Sequence, residues 1–496
     1  MRPGMRSSSP SLGGALLPLL TLVVLLGFGA AMIGLTAELL IGGLLAAATA
    51  AGVVAVRHGA SWEDIQRSMG EKIASVLPAL LILLAIGMLI GTWVLSGTIP
   101  YMVYWGVRLV RPDFLIVTAF LATMTMSICT GTSWGSAGTI GVALMGVAVA
   151  LDAPLGATAG AVVSGAYFGD KMSPLSDSTN ICSMAAGADL YAHIRHMLYT
   201  ALPSFVIALA VYTLAARSSM LSPDGMPDSA RTLLVELDTA FALHWFTLLP
   251  LAVIIAAIVR RMQPTLAIAL SSIVALAIGI GLQGFAPADG VAAMISGFNT
   301  GMIYSTPADA PPFSQTFTTL VVRGGLYSMA TTLIVVFAAF LLTAGMDVSG
   351  ALDMLIARML AAVRSVFGLI TATMTAGATM IALTSHGGVS ALVIGGLFQN
   401  AYRERDLAPE NLSRSLEDSI TITEPLMPWT VSAVFMAATL GVPTLQYAPW
   451  AVFCYGGPVF SLLIAGLYRQ TGWGIRRREP EAAAAGPGRE SAIGVL

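Results

Sequence analysis

A chain of 496 residues that is 56% hydrophobic and only 10% charged, with a mean hydropathy of +0.83, is far too apolar for a soluble protein of ordinary composition. The formal net charge of −2, with no sustained basic patch outside the C-terminal arginines, gives nucleic acid no footprint. Cys129, Cys182 and Cys454 stand alone in apolar segments without CxxC spacing, which argues against both a disulfide framework and a thiolate metal site.

The predicted elements are helices able to cross roughly 30 Å of hydrocarbon. Ala15–Gly34 follows Arg2 and Arg6 in the layout of a signal peptide, but it is too long for an h-region and further spans follow, so it reads as an uncleaved first helix. Leu39–Val56, Ile73–Ser96 and Phe114–Ser127 come next; Tyr101–Arg111 is left open as interfacial or re-entrant, because Arg108 and Arg111 conflict with the span count. Leu198–Ala215 precedes a polar connection, after which Phe241–Val259, Thr265–Leu282, Gly325–Gly345, Phe367–Leu383, Pro425–Leu440 and Pro449–Leu467 complete the set. With shorter pieces added, the expectation is an all-α polytopic membrane protein of about 11–13 transmembrane helices. Arg57, Arg67, Lys72, Arg260, Arg261 and Arg476 to Arg478 mark cytoplasmic ends, while Asp224, Asp228, Glu236 and Asp238 outnumber Arg217 and Arg231, which puts both termini inside the cell. The chain then divides into a cytoplasmic segment 1–14, a first repeat 15–216, a periplasmic connection 217–240, a second repeat 241–468 and a disordered cytoplasmic tail 469–496.

One stretch breaks the lipid-like pattern. Residues 169–180 place Asp170, Lys171 and Asp177 among Ser173, Ser176, Ser178, Thr179 and Asn180. Ionisable groups at membrane depth cost roughly 2.5–3.5 kcal/mol each on insertion scales and persist where they line a substrate, ion or proton path. Sodium wants hard oxygen ligands, which this segment supplies together with Thr132 and Ser133. Burial favours the neutral form of a carboxyl and a nearby cation favours its charged form, so proton and sodium compete for one group. Pro174 interrupts the helix around the motif. Gly131, Gly135, Gly138 and Gly141, interleaved with hydroxyl residues, mark a second break, and non-helical backbone at that depth must line a cavity or be buried in protein. Only two of the 24 basic residues are lysines, Lys72 and Lys171; a titratable ammonium in the motif is expected to neutralise Asp170 or Asp177 when sodium is absent.

The order of motifs repeats. Thr132-Ser133-Trp134-Gly135 is echoed by Thr384-Ser385-His386-Gly387, 252 residues on, and each is followed by an apolar stretch and an acidic cluster. Ser385, Glu417, Asp418 and Glu424 are the second-half candidates, with a solvated loop end as the competing reading for Glu417 and Asp418. Glu38 reads equally as a helix-end charge or a proton-path residue. His386 and Trp134 read as packing residues of the two breaks, and His193 and His196 as part of a cytoplasmic turn.

The run Gly131 to Gly141, the run Ser164 to Asp177, Arg323-Gly324-Gly325, Asn411 to Ser419 and Pro425 to Trp429 together resemble the signature of the NhaC-type sodium/proton antiporter family. The resemblance covers most of the membrane portion. It implies a bacterial cytoplasmic-membrane exchanger of the ion-transporter superfamily, with inverted repeats and re-entrant hairpins, trading Na⁺, and also Li⁺ as a candidate ion, for H⁺ by alternating access. It implies no catalytic turnover, no cofactor and no metal beyond the transported sodium. Expected partners are membrane lipid and small monovalent cations; a homodimer is left open. Close relatives also exchange organic anions of the malate and lactate type, so a sodium- or proton-coupled organic-anion or amino-acid exchanger is the alternative, with Lys171 and Arg323 as the cationic groups such a solute would need. An intramembrane enzyme is disfavoured, because Ser133 and His386 are accompanied by no recognised protease motif, and a two-half layout suits alternating access better than a channel.

Overall fold

The computed structural model describes residues 10–34, 36–218, 227–303, 312–361 and 363–478, and among these every regular element is helical. The first helices are α1 (Leu12–Ile33), α2 (Ala37–Arg57) and α3 (Trp62–Leu95). Ser61 starts α3 with a capping box: its hydroxyl accepts from Asp64 N–H at 3.2 Å while the Asp64 carboxylate accepts from Ser61 N–H at 3.0 Å. Apolar side chains such as Val23, Phe28 and Ile33 on α1 are more than 60% exposed, an arrangement that only a lipid surround makes favourable.

The first half continues with α4 (Thr98–Leu109), α5 (Pro112–Thr130), α6 (Ser133–Ala150), α7 (Leu155–Met172), α8 (Asp177–Ala186) and α9 (Leu190–Ser218). α4 covers the segment left open between interfacial and re-entrant; it is a separate 12-residue helix with Arg108 stacked over Tyr104. Then come α10 (Asp228–Ala240) and α11 (Trp245–Val259), bent by 97° from each other, α12 (Pro264–Gly281), α13 (Pro287–Ile295) and α14 (Gln315–Val321). The described part of the expected connection is therefore helical, and Glu236 anchors it by accepting the Ser314 N–H and hydroxyl, both at 2.6 Å. The second half is α15 (Leu326–Val348), α16 (Ala351–Ala361), α17 (Val366–Thr384), α18 (Gly387–Arg403), α19 (Pro409–Leu416) with a π-helical turn Glu417–Thr421, α20 (Val431–Leu440), α21 (Thr444–Trp450) and α22 (Val452–Thr471). Pro425–Leu440 is not the single span read from its hydropathy: a short 3-10 turn Glu424–Leu426 precedes the α-helix, which begins only at Val431, and α20 and α21 meet at 85°. Among the described residues, ten helices are long and apolar enough to cross a membrane, or twelve if each bent pair is one span.

The last helix runs to Thr471, and the chain then returns so that Arg477 bridges Leu407 and Arg478 N–H reaches the Asp406 carbonyl at 2.9 Å. Residues 469–478, assigned above to a disordered tail, thus belong to the fold; 479–496 lie outside the described residues, as do Arg2 and Arg6.

The two halves share one backbone path, in a register of 254 residues (385 − 131) rather than the 252 suggested by the Thr-Ser pairs. Left-handed residues recur as Gly131 and Ser385, Asp152 and Asp406, and Gly187 and Gly441. Thr130 bonds Ser136 as Thr384 bonds Ser390, and Ser176 and Thr430 cap α8 and α20 in the same way. The equivalent helices α9 and α22 lie antiparallel: Tyr212 donates to the Trp450 carbonyl at one end, and the Tyr199 and Trp473 rings meet at the other. Equivalent helices that run in opposite directions make the repeats inverted.

Candidate functional site

Each repeat carries two helix breaks, and local chemistry explains where they fall. α5 ends at Gly131, φ +68°, where an added Cβ would meet the Leu175 backbone at 2.7 Å. Thr132 then starts α6 by accepting from Gly135 N–H at 3.2 Å. α7 ends at Met172 before Pro174, and Ser176 restarts the chain as the cap of α8. Gly165 and Gly169 let α7 lie directly on α5, since a Cβ on Gly169 would reach Ile128 N at 2.6 Å.

The two breaks converge on Asp170. Ser133, from the first, donates to one carboxylate oxygen at 2.8 Å, and Ser176, from the second, to the other at 2.6 Å. The remaining motif residues build the break instead of pointing at an ion. Ser173 donates to the Ile128 carbonyl at 2.9 Å, Thr179 to the carbonyls of Asp170 and Lys171 at 3.2 Å, and Asn180 to those of Pro174 and Ser176 at 3.1 and 2.7 Å. Asp177 does not join Asp170: it sits exposed in the first turn of α8 and takes no part in this set.

The register places Glu424 where Asp170 lies in the first repeat. Its Oε2 is 2.9 Å from where a Cβ of Gly387 would be, and the Ser432 side chain and N–H are also its neighbours, so each repeat presents a carboxyl, half-buried at Asp170 and buried at Glu424, to the starts of two broken helices. Ser385 corresponds to Gly131 and turns the chain at φ +57°, its hydroxyl toward the Trp429 carbonyl at 3.5 Å; it is a turn residue, not a ligand. His386 caps α18, accepting from Val389 N–H. Trp134 stacks on Phe435 at 4.2 Å and donates to Ser432 at 3.3 Å, joining the halves by packing as expected.

Lys171 pairs with Asp418 of the second repeat, not with Asp170 or Asp177. Sequence spacing could not foresee this, because the partner comes from the facing repeat. Thr200 also donates to Asp418, at 3.2 Å. Glu417 and Asp418 are fully buried, which excludes the solvated loop end. The π-helical turn carries both acids inward, with Thr421 donating to Glu417. One oxygen each of Glu417 and Asp418 has no hydrogen-bond partner. Among the described residues, Lys171 lies beside Glu417 and Asp418 and Arg414 beside Asp418, fewer cations than the four acids Asp170, Glu417, Asp418 and Glu424, a balance that favours an additional cation.

Two cavities lie at equivalent positions of the two repeats. One, of about 260 Å³, is bounded by Gly187, Gln399, Arg403 and Pro409; the other, of about 410 Å³, by Gly441, Met145, Val149 and Leu155. Inverted repeats turn equivalent cavities toward opposite faces. Arg323 lines the larger one, with Nη2 donating to the Thr439 carbonyl at 3.1 Å.

Broken helices that bury carboxyls between inverted repeats, with a cavity toward each face, define a multi-pass secondary transporter. The family model described as the Na⁺/H⁺ antiporter family matches residues 12–189 and 165–467, and the chain belongs to that family. It is 43% identical, over 96% of its length and 99% of the relative's, to a Haemophilus influenzae protein named "Uncharacterized Na(+)/H(+) antiporter". It is 35% identical to the Na(+)/H(+) antiporter NhaC of Alkalihalophilus pseudofirmus, over 82% of this chain and 85% of that one. The arginine/ornithine antiporter ArcD of Halobacterium salinarum is 32% identical, over 95% and 94%. The chain is accordingly a multi-pass protein of the cytoplasmic membrane.

Proposed function

We propose that this protein exchanges Na⁺ for H⁺ by alternating access, with Asp170 as the group for which the two cations compete. The observation that carries the reading is the half-buried Asp170 carboxylate held by one hydroxyl from each helix break. The two serine hydroxyls donate to the ionised carboxylate, and the lone pairs of Ser133 remain able to coordinate sodium beside it, whereas Ser176 already accepts from Thr179 N–H. A proton neutralises the same carboxylate and removes its reason to hold sodium. Thr132, Ser173, Thr179 and Asn180 serve by keeping the backbone open around it. Glu424 is the matching group of the second repeat, and Glu417, with a free buried oxygen, is a neighbour of Asp170. Lys171 and Asp418 neutralise each other across the repeat interface, which leaves Asp170 without a fixed counter-ion.

The test uses purified protein in liposomes loaded with a pH dye. An imposed Na⁺ gradient should drive proton counter-movement without any organic solute. Because the ions compete, the Na⁺ concentration for half-maximal rate should fall as pH rises while the maximal rate stays level; a proton flux that needs an added carboxylate or amino acid would defeat the reading.

One observation favours a second reading, exchange of a carboxylate-bearing solute. Arg323 faces a cavity whose size suits a small organic molecule, and the ArcD relative is named for amino-acid exchange. Lys171 does not support it, since Asp418 already engages its ammonium.

A further inference from the structure

The repeats differ most where α9 meets α19. At this junction His193 and His196 are 0% and 5% exposed, against the expectation of an open cytoplasmic turn. His193 Nδ1 lies 2.7 Å from Ser413 Oγ, and Arg414 is wholly buried with Nη1 on the Gly474 carbonyl at 2.6 Å. His193 Nε2, His196 Nε2, Arg414 Nε and Arg414 Nη2 have no hydrogen-bond partner. Buried nitrogen atoms left this way call for ordered water as a partner. His193, His196 and Thr200 follow one face of α9, and Thr200 ends the series on Asp418. The outer end of the seam is Glu410, whose carboxylate lies 3.5 Å from Arg476, a side chain 53% exposed.

The other repeat seals the equivalent place. In the 254-residue register, His193, His196 and Arg414 correspond to Tyr447, Trp450 and Gly160, and Asp418 corresponds to Ser164. There Trp450 and Tyr447 pack directly over Gly160, and Ser164 is bonded by Tyr212 at 2.6 Å. One face of the inverted pair thus has a buried ionisable seam leading to the centre, and the opposite face has an aromatic plug. The seam opens beside Arg195, Arg403, Arg405 and Arg476 to Arg478, which marks it as the cytoplasmic side.

We propose that the seam between α9 and α19 is a dedicated cytoplasmic proton route to the Lys171–Asp418 pair, with His193 as its relay. A proton leaving the centre adds to His193 Nε2, giving an imidazolium whose Nδ1–H donates to Ser413. Loss of a proton from Nε2 to water at the Glu410 end restores the neutral ring, so one proton moves and nothing is oxidised or reduced. The charged or titratable groups acting on the ring are Lys171 on α7 and His196 on α9, and His196 in turn has Arg414 on α19 and Arg476 after α22 as neighbours. The cation ligands proposed above are not among its contacts.

This inference rests on the sodium/proton reading, and the experiment separates the two. His193→Gln and His193→Asn are reconstituted with a lumenal pH dye, and radiolabelled sodium is followed in the same vesicles. Sodium-for-sodium exchange needs no proton and should persist, while sodium-driven proton flux should fall at least about tenfold and return when imidazole buffer is present on the seam side. Unchanged proton flux in both variants would overturn the relay alone. Parallel loss of both exchanges without imidazole rescue would make His193 structural and also overturn it. Absence of sodium-driven proton flux in the wild type would overturn the sodium/proton reading itself.

Discussion

Asp170 and Asp177 look interchangeable in sequence, and their surroundings make them unequal. Asp170 is bound by Ser133 and Ser176, whereas Asp177 is exposed in the first turn of α8. Asp170→Asn should bring exchange to background with normal membrane insertion, Asp170→Glu should keep part of the activity with altered pH dependence, and Asp177→Asn should retain most of it, all read as initial rates of sodium-driven proton flux. Lys171 and Asp418 form a buried pair, and removing one partner leaves an uncompensated charge that costs about 3–5 kcal/mol. Lys171→Met or Asp418→Leu alone should therefore lower the thermal midpoint in detergent by several degrees, and the double variant should recover much of it; additive losses would show that the pair is not coupled.

At the scale of elements, the breaks depend on residues that tolerate a left-handed turn. Gly131 does so without strain, but its counterpart Ser385 holds φ +57° with a side chain attached. Ser385→Gly should stabilise the protein by about 1 kcal/mol and leave transport intact, seen as a raised melting temperature. Gly131→Ala should destabilise it, because its Cβ would be driven into Leu175. Gly169→Val should be worse still, since the α5–α7 contact has no room for it, and loss of folded protein on size exclusion would register that.

Over the whole molecule, the 254-residue register predicts that structurally equivalent loops face opposite sides of the membrane. Asp152→Cys and Glu404→Cys, each in a background without Cys129, Cys182 and Cys454, should differ in labelling of intact cells by an impermeant thiol reagent. Asp152→Cys should react and Glu404→Cys should not; labelling of both would break the inverted arrangement. The same symmetry turns the equivalent cavities near Gly441 and Gly187 toward opposite faces of the membrane.

By itself the sequence determined the membrane setting, the helical class, the approximate spans, the two-half order and the place where the Asp170 motif interrupts the apolar pattern. Those properties follow from hydropathy, which is local, and from the cost of placing charge in lipid, which few residues survive. The acidic motif was legible because its charges interrupt an apolar run, and the break at Pro174 because proline cannot continue a helix. Only the tertiary structure decided which carboxylates are buried and what faces them. Glu417 and Asp418 follow a charged loop and look solvated until the π-helical turn carries them inward, and Lys171 selects Asp418 over two nearer acids. The repeat register moved by two residues because backbone geometry, at Gly131 and Ser385, is repeated more faithfully than side-chain identity. Partners drawn from antiparallel repeats lie hundreds of residues apart, and no local pattern of spacing or periodicity encodes that distance.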